Sequence, residues 1–289
     1  MDPAARPYRS VLYIPGSRER AMEKARGLAV DAIIFDLEDA VAIEEKANAR
    51  KLLAETLAAG GFGTRAQIVR LNGMETAWGP EDLAAIMEVG PQAVLLPKVE
   101  TAGQVEAVAA QLDAHPACGE TEIWAMMETP VGILNALTIA ATPRMTGFVM
   151  GTNDLAKDLG CRYRPDRLPL QTALQTCLLA ARACGLVCID GVYNAFKDED
   201  GLRAECEQGR DLGMDGKTLI HPAQLAIANE VFAPTEDEID LARRQITAFE
   251  EAEAKGLGVA VVDGKIVENL HIVTAKATLA KAAAMNALD

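Results

Sequence analysis

Short, near-continuous apolar runs alternate along the chain with longer stretches whose apolar positions recur at helical spacing. The runs cover residues 10–14, 32–36, 67–71, 93–97, 123–127, 147–151, 186–190 and 216–220. They do not alternate apolar with polar, so they predict strands covered on both faces, as in a parallel sheet. Residues 18–28, 44–59, 80–88, 102–114, 170–183 and 199–212 predict helices between them. Eight strand-then-helix units predict an α/β fold, a (β/α)8 TIM barrel. A doubly wound open sheet gives the same periodicity and is the competing arrangement.

Beyond the eighth run, residues 221–232 lead into a long charged helix over 236–255, which Gly256-Leu257-Gly258 breaks. Two short apolar runs, 259–262 and 265–267, flank a turn at Asp263-Gly264, and a helix runs from residue 269 to about 284. The expected organisation is a catalytic barrel over residues 1–256. A C-terminal hairpin-helix appendage, 257–289, is too short to stand alone and packs on the barrel or on a neighbouring subunit. No internal repeat or low-complexity linker interrupts the chain.

Composition narrows the function classes. A chain of 289 residues, half of them hydrophobic, can bury a sizeable core. A formal net charge of −14 and a pI near 4.8 argue against a general nucleic-acid binder. No apolar stretch approaches the length of a membrane span, and the first eight residues carry two prolines and no signal core. The expected location is the cytoplasm. The six cysteines, Cys118, Cys161, Cys177, Cys184, Cys188 and Cys206, form no CxxC pair and no zinc spacing. They read as buried free thiols in a reducing compartment.

The C-terminal ends of barrel strands form the working face. There the sequence places Pro15-Gly16-Ser17-Arg18, Asp36-Leu37-Glu38-Asp39, Arg70-Leu71-Asn72, Lys98, Glu128, Asp154, Asp190 and His221-Pro222. Carboxylates dominate. Magnesium takes oxygen ligands and needs only one or two protein carboxylates. Glu128 and Asp154, at adjacent strand ends, meet that count, although either alone reads equally well as a helix cap. Asp36, Glu38 and Asp39 would orient ligand waters or hold Arg70 or Lys98. Arg70 suits a bidentate grip on a substrate carboxylate, and equally a structural pair with Asp36 or Glu38. Lys98 could form a Schiff base if desolvated, but with so many acids nearby it reads as a charge partner. His221, before a proline, reads as a helix start.

Glycine at position 16 ahead of a helix start suits a phosphate. In the first 26 residues, Arg6, Arg9, Arg18, Arg20, Lys24 and Arg26 face Asp2, Glu19 and Glu23, a net charge of +3 in an acidic chain. This basic patch hints at an anionic cofactor such as a nucleotide or coenzyme A.

Several strings together resemble the citrate lyase β-subunit / malyl-CoA lyase family. They are residues 9–17 (RSVLYIPGS), 35–41 (FDLEDAV), 69–72 (VRLN), 96–98 (LPK), 127–130 (METP) and 216–222 (GKTLIHP). The likeness spans essentially the whole chain and is nearest to the branch that hydrolyses (3S)-malyl-CoA. It implies a TIM barrel, Mg2+ (with Mn2+ as a substitute), a CoA thioester substrate and a homotrimer or homohexamer. It also implies metal ligation by Glu128 and Asp154, substrate contact by Arg70, and CoA contact by Tyr13, Arg18 and Lys24. The lyases carry an aspartate in the tail that reaches a neighbouring subunit's site; here Glu268 stands in its place. One added methylene would shift an acid–base group, which fits hydrolysis in place of C–C cleavage. Reversible cleavage of malyl-CoA or a related 3-hydroxyacyl-CoA to acetyl-CoA and glyoxylate, a citryl-CoA lyase role, and a subunit inactive without partners are the competing readings.

Overall fold

The structure is a computed structural model that describes residues 6–286. Its chain order is β1 (Ser10–Pro15), α1 (Glu19–Ala25), β2 (Ala32–Asp36), α2 (Lys46–Ala59), β3 (Ala66–Arg70), α3 (Gly79–Met87), β4 (Ala93–Leu96) and α4 (Ala102–Ala114). It continues with β5 (Glu122–Met127), α5 (Pro130–Leu134), α6 (Ala136–Ala140), β6 (Met145–Met150), α7 (Thr152–Leu159), α8 (Gln171–Cys184), β7 (Val187–Asp190), α9 (Glu199–Leu212), β8 (Gly216–Leu219) and α10 (Leu225–Val231).

Every neighbouring pair of strands from β1 to β8 is parallel, and β8 returns to β1. Ser10, Val11 and Leu12 lie beside Lys217, Thr218 and Leu219, so the sheet closes as a (β/α)8 barrel and leaves no open edge. The eight predicted strands are all present, each within two residues of its expected ends. Periodicity does not reveal α5, α6 and α7, because five to eight residues hold too few turns for a repeat to show.

Side chains alternate across each strand. Val11, Ala32, Ile34, Ala66, Ile68, Ala93, Leu95, Trp124, Met126, Val149 and Ile189 form one buried cluster, with Tyr13 packed against it. These are the inward positions. Their neighbours Leu12, Ile33, Phe35, Val69, Val94, Ala125 and Phe148 are also buried and face the helical layer. That double burial is why the strands read as unbroken apolar runs. A side chain at Gly147 would run into the Trp124 ring, so glycine lets the indole fill the barrel.

Counting two residues on from Ile34, Ile68 and Met126 gives Asp36, Arg70 and Glu128. The polar layer at the mouth is therefore the next inward step of the strands that build the core.

A second compact unit takes in the chain from Glu230 onward. Its helix α11 (Glu236–Glu253) opens with a capping box in which Thr235 and Glu238 satisfy each other's backbone N–H groups. Strands β9 (Ala260–Val262) and β10 (Lys265–Val267) form an antiparallel hairpin, and α12 (Asn269–Asn286) follows. Asp263 and Gly264, both at positive φ (50° and 76°), supply the two-residue turn such hairpins need. Phe249, Ala252, Ala260, Val267 and Ile272 form the unit's small core. No helix among the described residues is long and apolar enough to cross a membrane.

Candidate active site

Arg70 and Asp36 are register partners on β3 and β2. Arg70 Nε and Nη2 donate to the two Asp36 oxygens at 2.8 and 2.6 Å. Arg70 Nη1 lies 2.9 Å from Glu38 Oε2 and 3.4 Å from Asp39 Oδ2. The guanidinium stacks over the Tyr13 ring at 5.0 Å, on the inward face of β1. The Tyr13 hydroxyl donates to Met126 Sδ at 3.4 Å. Burial drives the Tyr13 phenol well above its ordinary range, so it stays neutral. The structural pairing of Arg70 with Asp36 and Glu38 is present, and the side chain also lines a cavity.

The loop that supplies these acids is braced from behind. Asp36 accepts from the Glu38 and Ala40 amides at 2.9 and 3.1 Å. The buried Lys46 ammonium donates to the Leu37 and Glu38 carbonyls, 3.0 Å each, and to Asn72 Oδ1 at 2.6 Å. Asn72 in turn donates to Asp82 at 2.6 Å, and Arg50 pairs with Asp82 at 2.7 Å. Sequence reasoning missed Lys46, Asp82 and Arg50. In the sequence they look like solvated helix positions, and only the fold turns them inward.

Glu128 ends the inward row of β5 and is buried. It does not cap the following helix; Thr129 does, accepting from the Gly132 amide at 3.1 Å. One Glu128 oxygen accepts from the Lys98 amide at 2.8 Å. Lys98 takes a left-handed backbone (φ 47°) to aim that amide. A methyl at position 151 would stand 2.5 Å from Glu128 Oε2, so Gly151 leaves the carboxylate its room. Burial pushes the Glu128 carboxyl up to about 7, against the pull of the Lys98 amide. The Lys98 ammonium sits 3.3 Å from Glu38 Oε1. Burial pulls its pKa down, but Glu38, Glu128 and Asp154 outweigh that and hold it above the ordinary lysine value. This keeps it charged, as a charge partner should be.

Asp154 lies within the first turn of α7, whose N-cap is Gly151, so it is not a cap either. Its nearest cation is Lys157, at 4.0 Å. Asp154, Glu128, Arg70, Asp36, Asp39 and Tyr13 all line one cavity of about 300 Å³. Met126, Met150, Val192 and Ile220 give it an apolar wall, and Asn153, Asn194 and Thr218 a polar one. Asp36 and Asp39 are engaged by Arg70. Glu128 and Asp154 are the lining carboxylates left to meet a cation. No group of three or more His, Cys, Asp or Glu side chains gathers for a metal among the described residues. Two carboxylates still suffice for Mg2+, which keeps its other positions for water and substrate.

Arg18 and Lys24 are exposed at the start and end of α1 and do not line the cavity. Glu268 belongs to the second unit, between β10 and α12. Its amide donates to His271 Nδ1 at 3.0 Å, while its carboxylate is exposed and unpaired among the described residues. Asp190 turns away from the mouth. It is fully buried, held by Arg167 at 2.7 and 2.8 Å and by Lys217 at 3.1 Å. His221 caps the turn after β8, accepting from the Ala223 amide at 3.1 Å. All six cysteines are free, but two of those expected inside are not buried: Cys161 is half-buried, and Cys184 is exposed because it ends α8 at the helix surface.

Comparison with known proteins adds four findings. The profile of the HpcH/HpaI aldolase/citrate lyase family matches residues 9–222. A relative from Cereibacter sphaeroides named (3S)-malyl-CoA thioesterase is 68% identical over 98% of this chain and 97% of its own length. The citrate lyase subunit beta of Leuconostoc mesenteroides is 35% identical over 97% and 95%. Among solved structures, the protein CitE from Mycobacterium tuberculosis in complex with magnesium, acetoacetate and coenzyme A superposes with a TM-score of 0.80. It is 30% identical, over 97% of this chain and 99% of that one.

Proposed function

We propose that this chain, which belongs to the HpcH/HpaI aldolase/citrate lyase family, is a Mg2+-dependent enzyme that hydrolyses (3S)-malyl-CoA to malate and CoA. The observation that carries the proposal is the single cavity in which two carboxylates, Glu128 and Asp154, face the guanidinium of Arg70. The 68% identity to a named (3S)-malyl-CoA thioesterase supports the substrate, and the magnesium and coenzyme A complex of CitE supports the cofactor and the thioester class.

Glu128 and Asp154 offer hard oxygen donors on the wall of one cavity, so the residues fit Mg2+. Held there, Mg2+ would supply Lewis-acid charge to the hydroxyl and carboxylate oxygens of the malyl group. Arg70, fixed by Asp36 and the Tyr13 ring, orients the same carboxylate through Nη1, which Glu38 and Asp39 share. Lys98 and Glu38 position Glu128. Arg18 and Lys24 carry charge suited to the phosphates of CoA, and Tyr13 lies at the floor where the acyl end enters.

Glu268 from a neighbouring subunit is the general base that takes a proton from water. Val261, Ile266, Leu270 and Val273, each more than 60% exposed, lie within a few residues of it along the second unit. An apolar surface of that kind suits burial in a homo-oligomer, a trimer or hexamer. The location that goes with this chemistry is the cytoplasm.

The match to citrate lyase subunit beta favours one competing reading, C–C cleavage to acetyl-CoA and glyoxylate. Incubating the pure protein with malyl-CoA and Mg2+ separates the two. Free thiol without glyoxylate means hydrolysis; glyoxylate release would sink the thioesterase assignment.

A further inference from the structure

We propose that the buried hydroxyl of Thr152 donates a hydrogen bond to the thioester carbonyl oxygen and stabilises the negative charge that develops there. The inference rests on the thioester reading of the site.

Thr152 follows β6 as the first residue of α7, two positions before Asp154, and it lines the cavity. Only 5% of the residue is exposed. A methyl at position 191 would run into Thr152 Oγ1 and Cγ2, so the side chain lies directly against Gly191, just past the end of β7. Gly191 is itself engaged. Its amide donates to Asp190 Oδ1 at 2.8 Å, and its carbonyl accepts from the Lys217 ammonium at 2.6 Å. Thr152 Oγ1 makes no hydrogen bond with any described residue. A buried hydroxyl is rarely left without a partner, and one that borders a cavity is free for a ligand.

The other polar side chains on that wall are occupied. Arg70 is held by Asp36, Glu38 and Asp39. The Tyr13 hydroxyl is spent on Met126, and that of Thr218 on the Asp190 carbonyl at 2.9 Å. Asn153 and Asn194 stand on the exposed rim and bond each other, at 2.9 and 3.3 Å.

The Thr152 hydroxyl is also placed before any ligand arrives. A β-branched side chain has few rotamers in a helix, and Gly191 packs against this one. Donors that need not reorganise are the ones that stabilise a transition state.

The order of strands round the barrel suits the carbonyl. Arg70 ends β3, Glu128 follows β5, Thr152 and Asp154 follow β6, and Gly191 follows β7. A malyl chain laid with its carboxylate at Arg70 and its hydroxyl at Glu128 and Asp154 runs on towards β7. Its thioester carbon, two bonds beyond the carbon bearing the hydroxyl, then falls beside Thr152. A neutral hydroxyl gains little from the resting carbonyl and more once its oxygen is anionic. The water oxygen bonds to the carbonyl carbon as one of its protons passes to the base, and the π pair moves onto the oxygen that the Thr152 O–H holds. The C=O bond then reforms and the C–S bond breaks. The departing sulfur takes the proton back from the base as CoA thiol, leaving malate, whose new carboxyl ionises.

The test uses Thr152→Val, which keeps the shape and removes the hydroxyl, and Thr152→Ser, which keeps the hydroxyl, in the full-length protein. Thr152→Val should lose kcat by roughly 100-fold with KM and Mg2+ affinity unchanged, and Thr152→Ser should recover most of the loss. An independent readout is the 13C carbonyl resonance of a bound malyl-CoA analogue whose sulfur is replaced by CH2. It should move downfield on binding to the wild type and to Thr152→Ser, and less on binding to Thr152→Val. A carbonyl resonance that does not move in the wild type overturns the inference whatever the variants do. So does Thr152→Val with wild-type kcat, or with a raised KM and an unchanged kcat, since the hydroxyl would then hold another part of the substrate. If the wild type releases glyoxylate, the hydrolytic reading fails separately, and the carbonyl shift still decides the role of Thr152, because the same oxygen carries the charge of an enolate. An analogue that does not bind removes the thioester reading and the inference with it.

Discussion

Arg70 gives Asp36 two hydrogen bonds, 2.8 and 2.6 Å, across adjacent strands, and both side chains are almost entirely buried. A buried pair of this geometry costs most when one partner is removed, since the survivor keeps its charge without its counter-ion. Asp36→Asn should lower stability by about 3 kcal/mol, read from urea unfolding at neutral pH. Glu38 and Asp39 are too loosely placed to replace it. A stability loss near zero would mean that they do replace it.

Arg70→Lys tests the fork rather than the charge. Lysine keeps one positive charge but cannot grip Asp36 and a substrate carboxylate at once. The fold should hold with a modest drop in melting temperature, while kcat/KM falls by roughly 100-fold, a loss of about 3 kcal/mol in transition-state stabilisation. Wild-type kinetics in this variant would remove Arg70 from the substrate.

The metal-free protein should show the Glu128 titration directly. Its carboxyl stands at about 7 in the fold, against 4.5 for the free side chain. Between those values the folded state holds a proton that the unfolded state has lost, so stability falls as pH rises from 4.5 to 7, by about 3 kcal/mol in all. Above 7 this group adds no further slope. The same proton must leave before a cation binds. Mg2+ affinity, followed by calorimetry from pH 5.5 to 8, should therefore rise about tenfold per pH unit below 7 and level off above it. An affinity flat across that range would exclude Glu128 as a ligand.

Gly151 makes the complementary steric case. Gly151→Ala places a methyl 2.3 Å from Glu128 Cβ and 2.5 Å from Glu128 Oε2. The expected cost is about 2 kcal/mol of stability. Mn2+ binding, measured by electron paramagnetic resonance, should weaken as well, because the carboxylate must swing away from Asp154. Full Mn2+ affinity would show that the ligand set lies elsewhere.

These residues also show what a sequence can and cannot reveal. The barrel was legible because parallel strands buried on both faces leave unbroken apolar runs, and an acid or base just past such a run marks the mouth. That rule found Asp36, Arg70, Glu128 and Asp154. It also flagged Asp190, which is one residue out of phase: Ile189 points inward, so Asp190 faces the helices and meets Arg167 and Lys217. Inward or outward is a matter of a single residue, and apolar runs without alternation do not carry that phase. Lys46 and Asp82 were illegible for a different reason. Their partners lie 26 and 10 residues away at Asn72, and a long-range hydrogen bond leaves no local pattern.

On the proposed function, Glu268 bears on which reaction the site performs. Its carboxylate is exposed on the second unit and carries no partner among the described residues, as a base poised for a neighbouring subunit would. Glu268→Gln should fold normally, bind Mg2+ as the wild type does, and lose kcat by roughly 100-fold or more. If the residue acts in trans, mixing unfolded Glu268→Gln with unfolded Arg70→Lys protein and refolding them together should restore activity. Some sites in the mixed oligomer then pair an intact Arg70 with an intact Glu268. No recovery, despite mixed oligomers confirmed by native mass spectrometry, would place Glu268 outside the neighbour's site. Glu268→Asp completes the experiment. Shortening the side chain by one methylene should lower thiol release and allow glyoxylate to form, since the carboxylate would then stand nearer the malyl carbon chain than the thioester. Thiol release unchanged from wild type would mean that side-chain length at this position does not select the reaction.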